Sequence, residues 1–145
     1  GCTENTRLLN WQEAKELVDN GWEIGSHSMT HADLCDMNDE QIKAEVHDSA
    51  SLIHDHLGVK VKSFAYPRGI LSAECINIIK DSDYTNAVTV WPGANTPETS
   101  RYLLSRTEIS GSDSNADFTR KIKGAFDYYQ RYLQRGTKRC AEDFR

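Results

Sequence analysis

The alternation of short apolar segments with capped amphipathic segments is the feature that most constrains the fold of this chain. Residues 22–25, 59–66 and 87–90 are short, largely apolar or alternating stretches, which is typical of strands. Helical patterns lie before, between and after them. Strands that alternate with helices predict a parallel sheet, so the expected fold class is α/β.

Four helices are predicted from their starting signals, their ending signals and their apolar faces. The starting signals are Asn10 with Glu13, Asn38 with Gln41, and Ser114 with Asp117. The third helix is expected over about Ala73 to Lys80, around Ile76 and Ile79. The other apolar faces are Trp11, Ala14, Leu17 and Val18; Ile42, Val46, Ile53 and Leu57; and Phe118, Ile122, Phe126, Tyr129 and Leu133. The last helix is expected to end before Gly136, and a short strand is expected near Ile109.

Composition narrows the class of protein. With 145 residues, 38% of them hydrophobic and 27% charged, residues 1–145 are expected to form one globular domain with a flexible tail at 136–145. A net charge of −5 argues against nucleic acid as a partner. No apolar run approaches the roughly 18 to 20 residues that span a bilayer, and the polar opening GCTENTR is not a secretory signal. The basic residues near the end are interpreted as a solvated helix end: Arg131, Arg135, Lys138 and Arg139.

The cysteines give no metal or disulfide framework. Cys2, Cys35, Cys75 and Cys140 are widely spread and form no CxxC pair, which excludes a zinc ribbon or a thioredoxin-type motif. Free thiols are favoured over disulfides.

His27 and His31 lie in the stretch GSHSMTH, directly after a predicted strand. Neutral imidazole is a good ligand for zinc and other first-row metals. Two surface histidines without a role are the alternative, but Pro67-Arg68-Gly69 ends the next strand, so both loops are expected on one rim of the sheet, where α/β folds commonly keep their chemistry. Ser28 is expected to hold the loop by a hydrogen bond. The remaining histidines are expected on the surface of the second helix: His47, His54 and His56.

Two motifs in order resemble those of the polysaccharide deacetylases, the NodB-homology or carbohydrate esterase family 4 enzymes. The run WEIGSHSMTH, residues 22–31, resembles the family's second motif, H-[ST]-x-x-H with its flanks. The run FAYPRG, residues 64–69, resembles the third motif in its FxYPxG form. Residues 84–95 and 106–110 resemble the family's tail, and the similarity covers about residues 8 to 134.

The resemblance implies a distorted, here partial, (β/α) barrel that holds a divalent metal, usually zinc. It implies hydrolysis of an acetamide or acetyl ester on a sugar polymer, and a place outside the cell or in its envelope. Residue by residue, His27 and His31 match the metal-binding histidines, and the backbone N–H of Arg68 matches the oxyanion donor. Tyr66 and Pro67 match groove-lining positions. Separately, Trp91 beside Pro92-Gly93 is a candidate for stacking on a sugar ring, with a packing role as its alternative.

This sequence departs from the family pattern in its acidic residues. The family's first motif, T-F-D-D, supplies the third metal ligand and the catalytic base, and the sequence contains nothing that corresponds to it. The chain is therefore expected to be the C-terminal part of the domain. Ala65 stands where many members carry an arginine that orients the base. Asp33 and Asp36 are weighed as substitute ligands, but solvent-facing or capping roles are favoured for both.

Three interpretations of function remain open. The first is a deacetylase domain, or part of one, that acts on an acetylated polysaccharide. The second is a catalytically impaired relative that binds carbohydrate or another partner. The third is a zinc hydrolase with an unrelated acid ligand. A homodimer is also expected to be feasible, because a partial barrel leaves sheet edges exposed.

Overall fold

The computed structural model describes residues 8–125. Helices, strands and 3₁₀ turns follow one another along the chain. The α-helices are α1 (Trp11–Asp19), α2 (Asp39–Leu57), α3 (Ala73–Lys80) and α4 (Asn115–Ile122), and the strands are β1 (Ser63–Ala65) and β2 (Asn86–Val88). The 3₁₀ turns are Leu34–Asp36 and Pro67–Gly69.

The sheet runs in chain order and is parallel throughout. β1 pairs with β2 in the register Phe64 to Ala87. A single parallel bridge joins Ser26 to Phe64 on one side, and another joins Val88 to Leu104 on the other. Four neighbouring segments therefore have their carboxyl ends at one rim, and the predicted α/β class with a parallel sheet is confirmed.

The predicted strands are shorter than expected or lie elsewhere. Residues 22–25 form no strand, and pairing begins only at Ser26, whose N–H donates to Ser63 O at 2.9 Å. The fourth segment pairs through Leu104, whereas Ile109 is 47% exposed and forms no strand. The expectation of a strand near Ile109 was wrong. Ile109 is β-branched, which favours a strand, but no neighbouring segment pairs with it.

The capping signals act as predicted. Asn10 with Glu13, Asn38 with Gln41, and Ser114 with Asp117 each form a capping box. Gly58 ends α2 in the left-handed conformation. The predicted continuation of the last helix toward Gly136 and the tail at 136–145 lie outside the described residues.

The core lies between the sheet, α2 and α3. Phe64 is 1% exposed and meets Tyr66 and Tyr84 edge to face, with ring centroids 5.6 and 5.3 Å apart. The buried aliphatic and sulfur-containing residues around them are Leu34, Ile42, Val46, Val61, Leu71, Cys75, Ile76 and Ile79. α1 contributes no buried residue, and its Trp11 stacks on His56 of α2.

Neither Cys35 nor Cys75 takes part in a disulfide among the described residues. Burial raises the pKa of the Cys75 thiol to about 12, which keeps it protonated and unreactive. Cys2 and Cys140 lie outside the described residues. Within residues 8–125, no helix has both the length and the apolar character needed to cross a bilayer.

Candidate metal and catalytic site

The loop that carries both histidines, residues 27–31, begins where the backbone of Gly25 lies close to that of Ser63 in β1. A Cβ on Gly25 would lie 3.1 Å from the carbonyl oxygen of Ser63, so any other residue here would push the segment slightly away from β1. The next residue, Ser26, is buried, and its hydroxyl lies 2.6 Å from that of Ser49 on α2. The loop is thus fixed at its start to both the sheet and α2.

His27 has the hydrogen bond that a metal ligand needs. Its Nδ1 lies 2.7 Å from the carbonyl oxygen of Ala65 at the end of β1. A carbonyl oxygen only accepts, so Nδ1 carries the hydrogen, and in the neutral ring the lone pair is therefore on Nε2. Histidines that bind metals commonly donate their other ring N–H in this way, and the exposed ring of His27 fits that pattern.

His31 lies beside His27, and the ring centroids of the pair are 4.9 Å apart. Its backbone has a φ of 60°, in the left-handed region. The Ser28 hydroxyl accepts a hydrogen bond from the His31 N–H at 3.0 Å, so the predicted role of Ser28 in holding the loop is confirmed. The loop therefore brings together the two candidate ligands that the sequence identifies.

No acidic side chain joins this pair within residues 8–125, where no group of three His, Cys, Asp or Glu side chains is placed to hold a metal. Asp33 caps the 3₁₀ turn by accepting from the Cys35 N–H at 3.1 Å, and Asp36 is exposed. The structure thus gives no support to the third interpretation, the unrelated acid ligand. The other histidines are exposed on α2, as predicted: His47, His54 and His56.

The turn after β1 adjoins the histidine loop because Ser26 pairs with Phe64. Arg68 has a φ of 54°. The turn is closed by the N–H groups of Gly69 and Ile70, which donate to Tyr66 O and Pro67 O at 3.0 and 3.1 Å. Among the described residues, no backbone hydrogen bond is donated by the Arg68 N–H, and its role as an oxyanion donor stays a prediction.

Tyr66 and Pro67 lie beneath this turn with buried side chains. The Tyr66 hydroxyl donates to the carbonyl oxygen of Tyr102 at 2.9 Å, and burial raises the pKa of Tyr66 well above its usual range. In the described residues both support the turn from inside the core. Direct contact with a substrate stays a prediction for these two residues.

Trp91 follows β2 and lies at the same rim as the turn. It is half-buried and packs against the core. Its backbone N–H donates to the Thr89 hydroxyl at 3.0 Å. The turn after β1 touches this segment directly, because a Cβ on Gly69 would lie 2.2 Å from a methyl group of Val90. Part of the Trp91 ring is in the core, and the expected stacking on a sugar ring remains a prediction.

Glu45 is the residue that sequence reasoning missed. It is 8% exposed, and its carboxylate accepts from the N–H groups of Met29 and Thr30 at 2.8 and 2.9 Å. The Thr30 hydroxyl donates to the same carboxylate at 2.7 Å. Burial acts to raise the pKa of Glu45, but the hydrogen bonds from Thr30 and Met29 outweigh it and hold the pKa below its usual value. A signal was present, because Glu45 occupies the buried stripe of α2 with Ile42 and Ser49 at helical spacing.

Known proteins share the sequence pattern and the fold of this chain. The sequence model of a family described as polysaccharide deacetylase matches residues 3–87. YxkH of Bacillus subtilis (strain 168), named as a candidate polysaccharide deacetylase, is 27% identical over 110 residues, which are 76% of this chain and 39% of YxkH.

Two solved structures are similar in fold. BC0361, a polysaccharide deacetylase from Bacillus cereus, superposes with a TM-score of 0.70 at 26% identity, over 79% of this chain and 36% of that one. BA3943, a CE4 family pseudoenzyme from Bacillus anthracis, superposes with a TM-score of 0.51 at 28% identity, over 54% of this chain and 28% of that one. This chain thus spans less than half the length of each of these relatives. The superposition on BC0361 confirms the expected partial barrel.

Proposed function

This chain belongs to the polysaccharide deacetylase family, and from that premise we propose that it forms the histidine side of a metal-dependent site that removes acetyl groups, N- or O-linked, from a carbohydrate polymer. The observation that carries the proposal is the hydrogen bond from His27 Nδ1 to Ala65 O. It leaves Nε2 of His27 as a lone-pair donor next to the ring of His31.

In this proposal His27 and His31 hold a divalent metal ion, with zinc favoured because its ligands in proteins include imidazole nitrogens. When bound, such an ion polarises the acetyl carbonyl and acidifies water. The backbone N–H of Arg68, on the adjoining turn, donates to the oxygen that becomes negative as the acetyl group is attacked. A preorganised donor of this kind is often worth about 2.7 to 4 kcal/mol.

The proposed site is incomplete within this sequence. A catalytic zinc normally has three protein ligands, and the chain contains no T-F-D-D run to supply an acidic ligand and a base. Ala65 also offers no side chain to orient a base. We infer that the two histidines alone hold metal weakly, and that full activity requires acidic residues of the first-motif kind beside them.

The proposed substrate is an acetylated polysaccharide such as chitin, xylan or poly-N-acetylglucosamine. A place outside the cell or in its envelope is proposed with it, because polymers of this kind are met there. The net charge of −5 is consistent with a neutral or cationic polymer rather than nucleic acid.

Acetate release tests this function. The 145-residue chain alone is expected to release little or no acetate from acetylated oligosaccharides with zinc present, because general-base assistance typically contributes about 10² to 10⁴-fold. The same chain extended at its N-terminus by a first-motif segment is expected to be active with zinc, and His31→Ala in the extended chain is expected to be nearly inactive. Robust turnover by the short chain, or full activity of extended His31→Ala, would contradict the proposal.

A second candidate function is carbohydrate binding without catalysis. The similarity to BA3943, a CE4 family pseudoenzyme, favours it. In this case the chain binds acetylated polymer through the rim that carries Trp91, and an N-terminal first-motif segment restores no turnover. Retention on chitin that Trp91→Ala abolishes, together with an inactive extended chain, would select this candidate over the first.

A further inference from the structure

Glu45 is a charged residue buried at a position where an apolar side chain would be expected. An apolar side chain would lose no hydration free energy there, whereas a carboxylate does. Glu45 lies on the core-facing stripe of α2 beside Val46 and close to Ile42 and Ser49. Burying a charge is unfavourable unless hydrogen bonds compensate for it. The N–H groups of Met29 and Thr30 and the Thr30 hydroxyl do so here, and the Ser28 side chain also hydrogen-bonds to this carboxylate. All of these donors lie between His27 and His31 in the chain.

The loop that donates these hydrogen bonds has an unfavourable backbone conformation. Ser28 and His31 have φ values of 63° and 60°, which residues other than glycine rarely adopt. Such conformations persist where the surroundings over-determine them. Around Ser28 and His31 those surroundings are the Glu45 carboxylate and the bond from His31 N–H to the Ser28 hydroxyl.

We propose that Glu45 is a positioning residue, which holds the Ser28–His31 loop in the conformation that places His31 beside His27 for joint binding of a metal ion. The metal ion in this inference comes from the proposed function. The role of Glu45 in holding the loop rests only on the observed hydrogen bonds. The carboxylate acts through its hydrogen bonds with the loop between the two histidines, chiefly with Met29 and Thr30. Removing its charge therefore releases the loop and leaves both ligands present but misplaced.

The matched pair Glu45→Gln and Glu40→Gln tests this proposal. Both residues are on α2, but Glu40 is exposed and pairs only with Lys43. The first measurement needs no metal: amide hydrogen exchange by NMR. In Glu45→Gln, protection of the Met29, Thr30 and His31 amides is expected to fall by about tenfold or more, while protection of core amides such as Phe64 is unchanged. Glu40→Gln is expected to match the parent chain at every amide.

The second measurement is metal affinity, by zinc calorimetry and by the visible spectrum of bound cobalt(II). Glu45→Gln is expected to bind about 10- to 100-fold more weakly, the range found when supporting partners of metal ligands are replaced. The cobalt bands are expected to shift, because the ligand geometry changes. Should Glu45→Gln fail to fold, Thr30→Val, which removes only the hydroxyl donor, is measured in its place, with a smaller loss expected in the same direction.

The outcomes separate the two proposals. Unchanged protection at Met29, Thr30 and His31 in Glu45→Gln overturns the positioning role whatever the metal does. Equal zinc affinity and identical cobalt spectra in parent and variant overturn it as well. A parent chain that binds no metal contradicts the proposed function instead, while the exchange data still decide whether Glu45 holds the loop.

Discussion

At the scale of single residues, His27 and His31 differ from His47 in what surrounds them. His27 is held by a backbone carbonyl of the neighbouring strand, and His31 by the hydroxyl of Ser28. His47, by contrast, lies exposed on α2. The difference allows a direct test of metal binding with a control in the same molecule.

We expect one weak zinc site, lost in His27→Ala and unchanged in His47→Ala, because only His27 offers a ring nitrogen with a fixed tautomer next to a second imidazole. Isothermal calorimetry on the three proteins is the measurement. Equal zinc uptake by all of them would remove the assignment.

At Gly69, in the turn after β1, there is no room for a side chain. Its φ is +68°, and a Cβ there would lie 2.2 Å from a methyl group of Val90. Gly58 has nearly the same φ, +69°, but no heavy atom lies within 4 Å of its Cβ position. The two glycines therefore separate backbone strain from steric clash.

Gly58→Ala is expected to lower the free energy of unfolding by about 1 to 2 kcal/mol, the cost of a left-handed alanine. Gly69→Ala is expected to lower it by about 2 to 5 kcal/mol, because overpacking adds a further 1 to 3 kcal/mol. Urea denaturation of both variants gives the comparison. If Gly69→Ala lowers the free energy of unfolding no more than Gly58→Ala does, the turn can move to accommodate the methyl group and the predicted steric clash is wrong.

At the scale of elements, α2 connects the core to the histidine loop. It buries Ile42 and Val46 in the core and presents Glu45 and Ser49 to the loop. α1 has the same type of capping box but buries no residue. The two helices thus have the same type of N-terminal cap, but only α2 is packed into the core.

Replacing the capping residues is expected to reveal this difference. Asn38→Ala should lower the free energy of global unfolding by about 0.5 to 2 kcal/mol, the usual cost of losing an N-cap, because α2 unfolds only with the core. Asn10→Ala should mainly increase hydrogen exchange within α1 and shift global unfolding less, because α1 can fray on its own. Equal shifts of the urea midpoint in the two variants would count against this division.

At the scale of the whole molecule, the parallel order of the four segments explains why both motifs meet. Successive segments lie next to one another in the sheet, so the loops after Ser26 and after β1 adjoin, and the segment after β2 follows. Among the described residues, the outer side of the Ser26 segment has no strand partner, and large apolar side chains nearby in the chain are exposed, with Trp22 at 66%.

Open sheet edges and exposed apolar surface favour association. We therefore expect concentration-dependent self-association of the 145-residue chain in sedimentation velocity. Trp22→Glu is expected to shift it toward monomer, whereas Ile122→Glu, at a similarly exposed position on α4, is expected to leave it unchanged. A monomer at all concentrations would contradict the expectation.

Local signals in the sequence determined much of this protein. The three capping boxes, the stop at Gly58 and the α/β order all followed from spacings of a few residues, because helix caps and amphipathic periods are interactions between near neighbours in the chain. The candidate ligands His27 and His31 and the turn at Arg68 were likewise visible in the order of the two motifs.

Only the tertiary structure decided how these parts meet. The bond from His27 to Ala65 spans 38 residues, and the bonds to Glu45 span 15 and 16. The last strand pairs at Leu104 rather than near Ile109, and Tyr66 lies in the core beneath the turn. The physical reason is common to all four: sheet pairing, and the burial and hydrogen-bond satisfaction of a polar side chain, depend on groups far apart in the chain. The local sequence pattern therefore predicts which residues can make such contacts, but it does not predict which distant residues they contact.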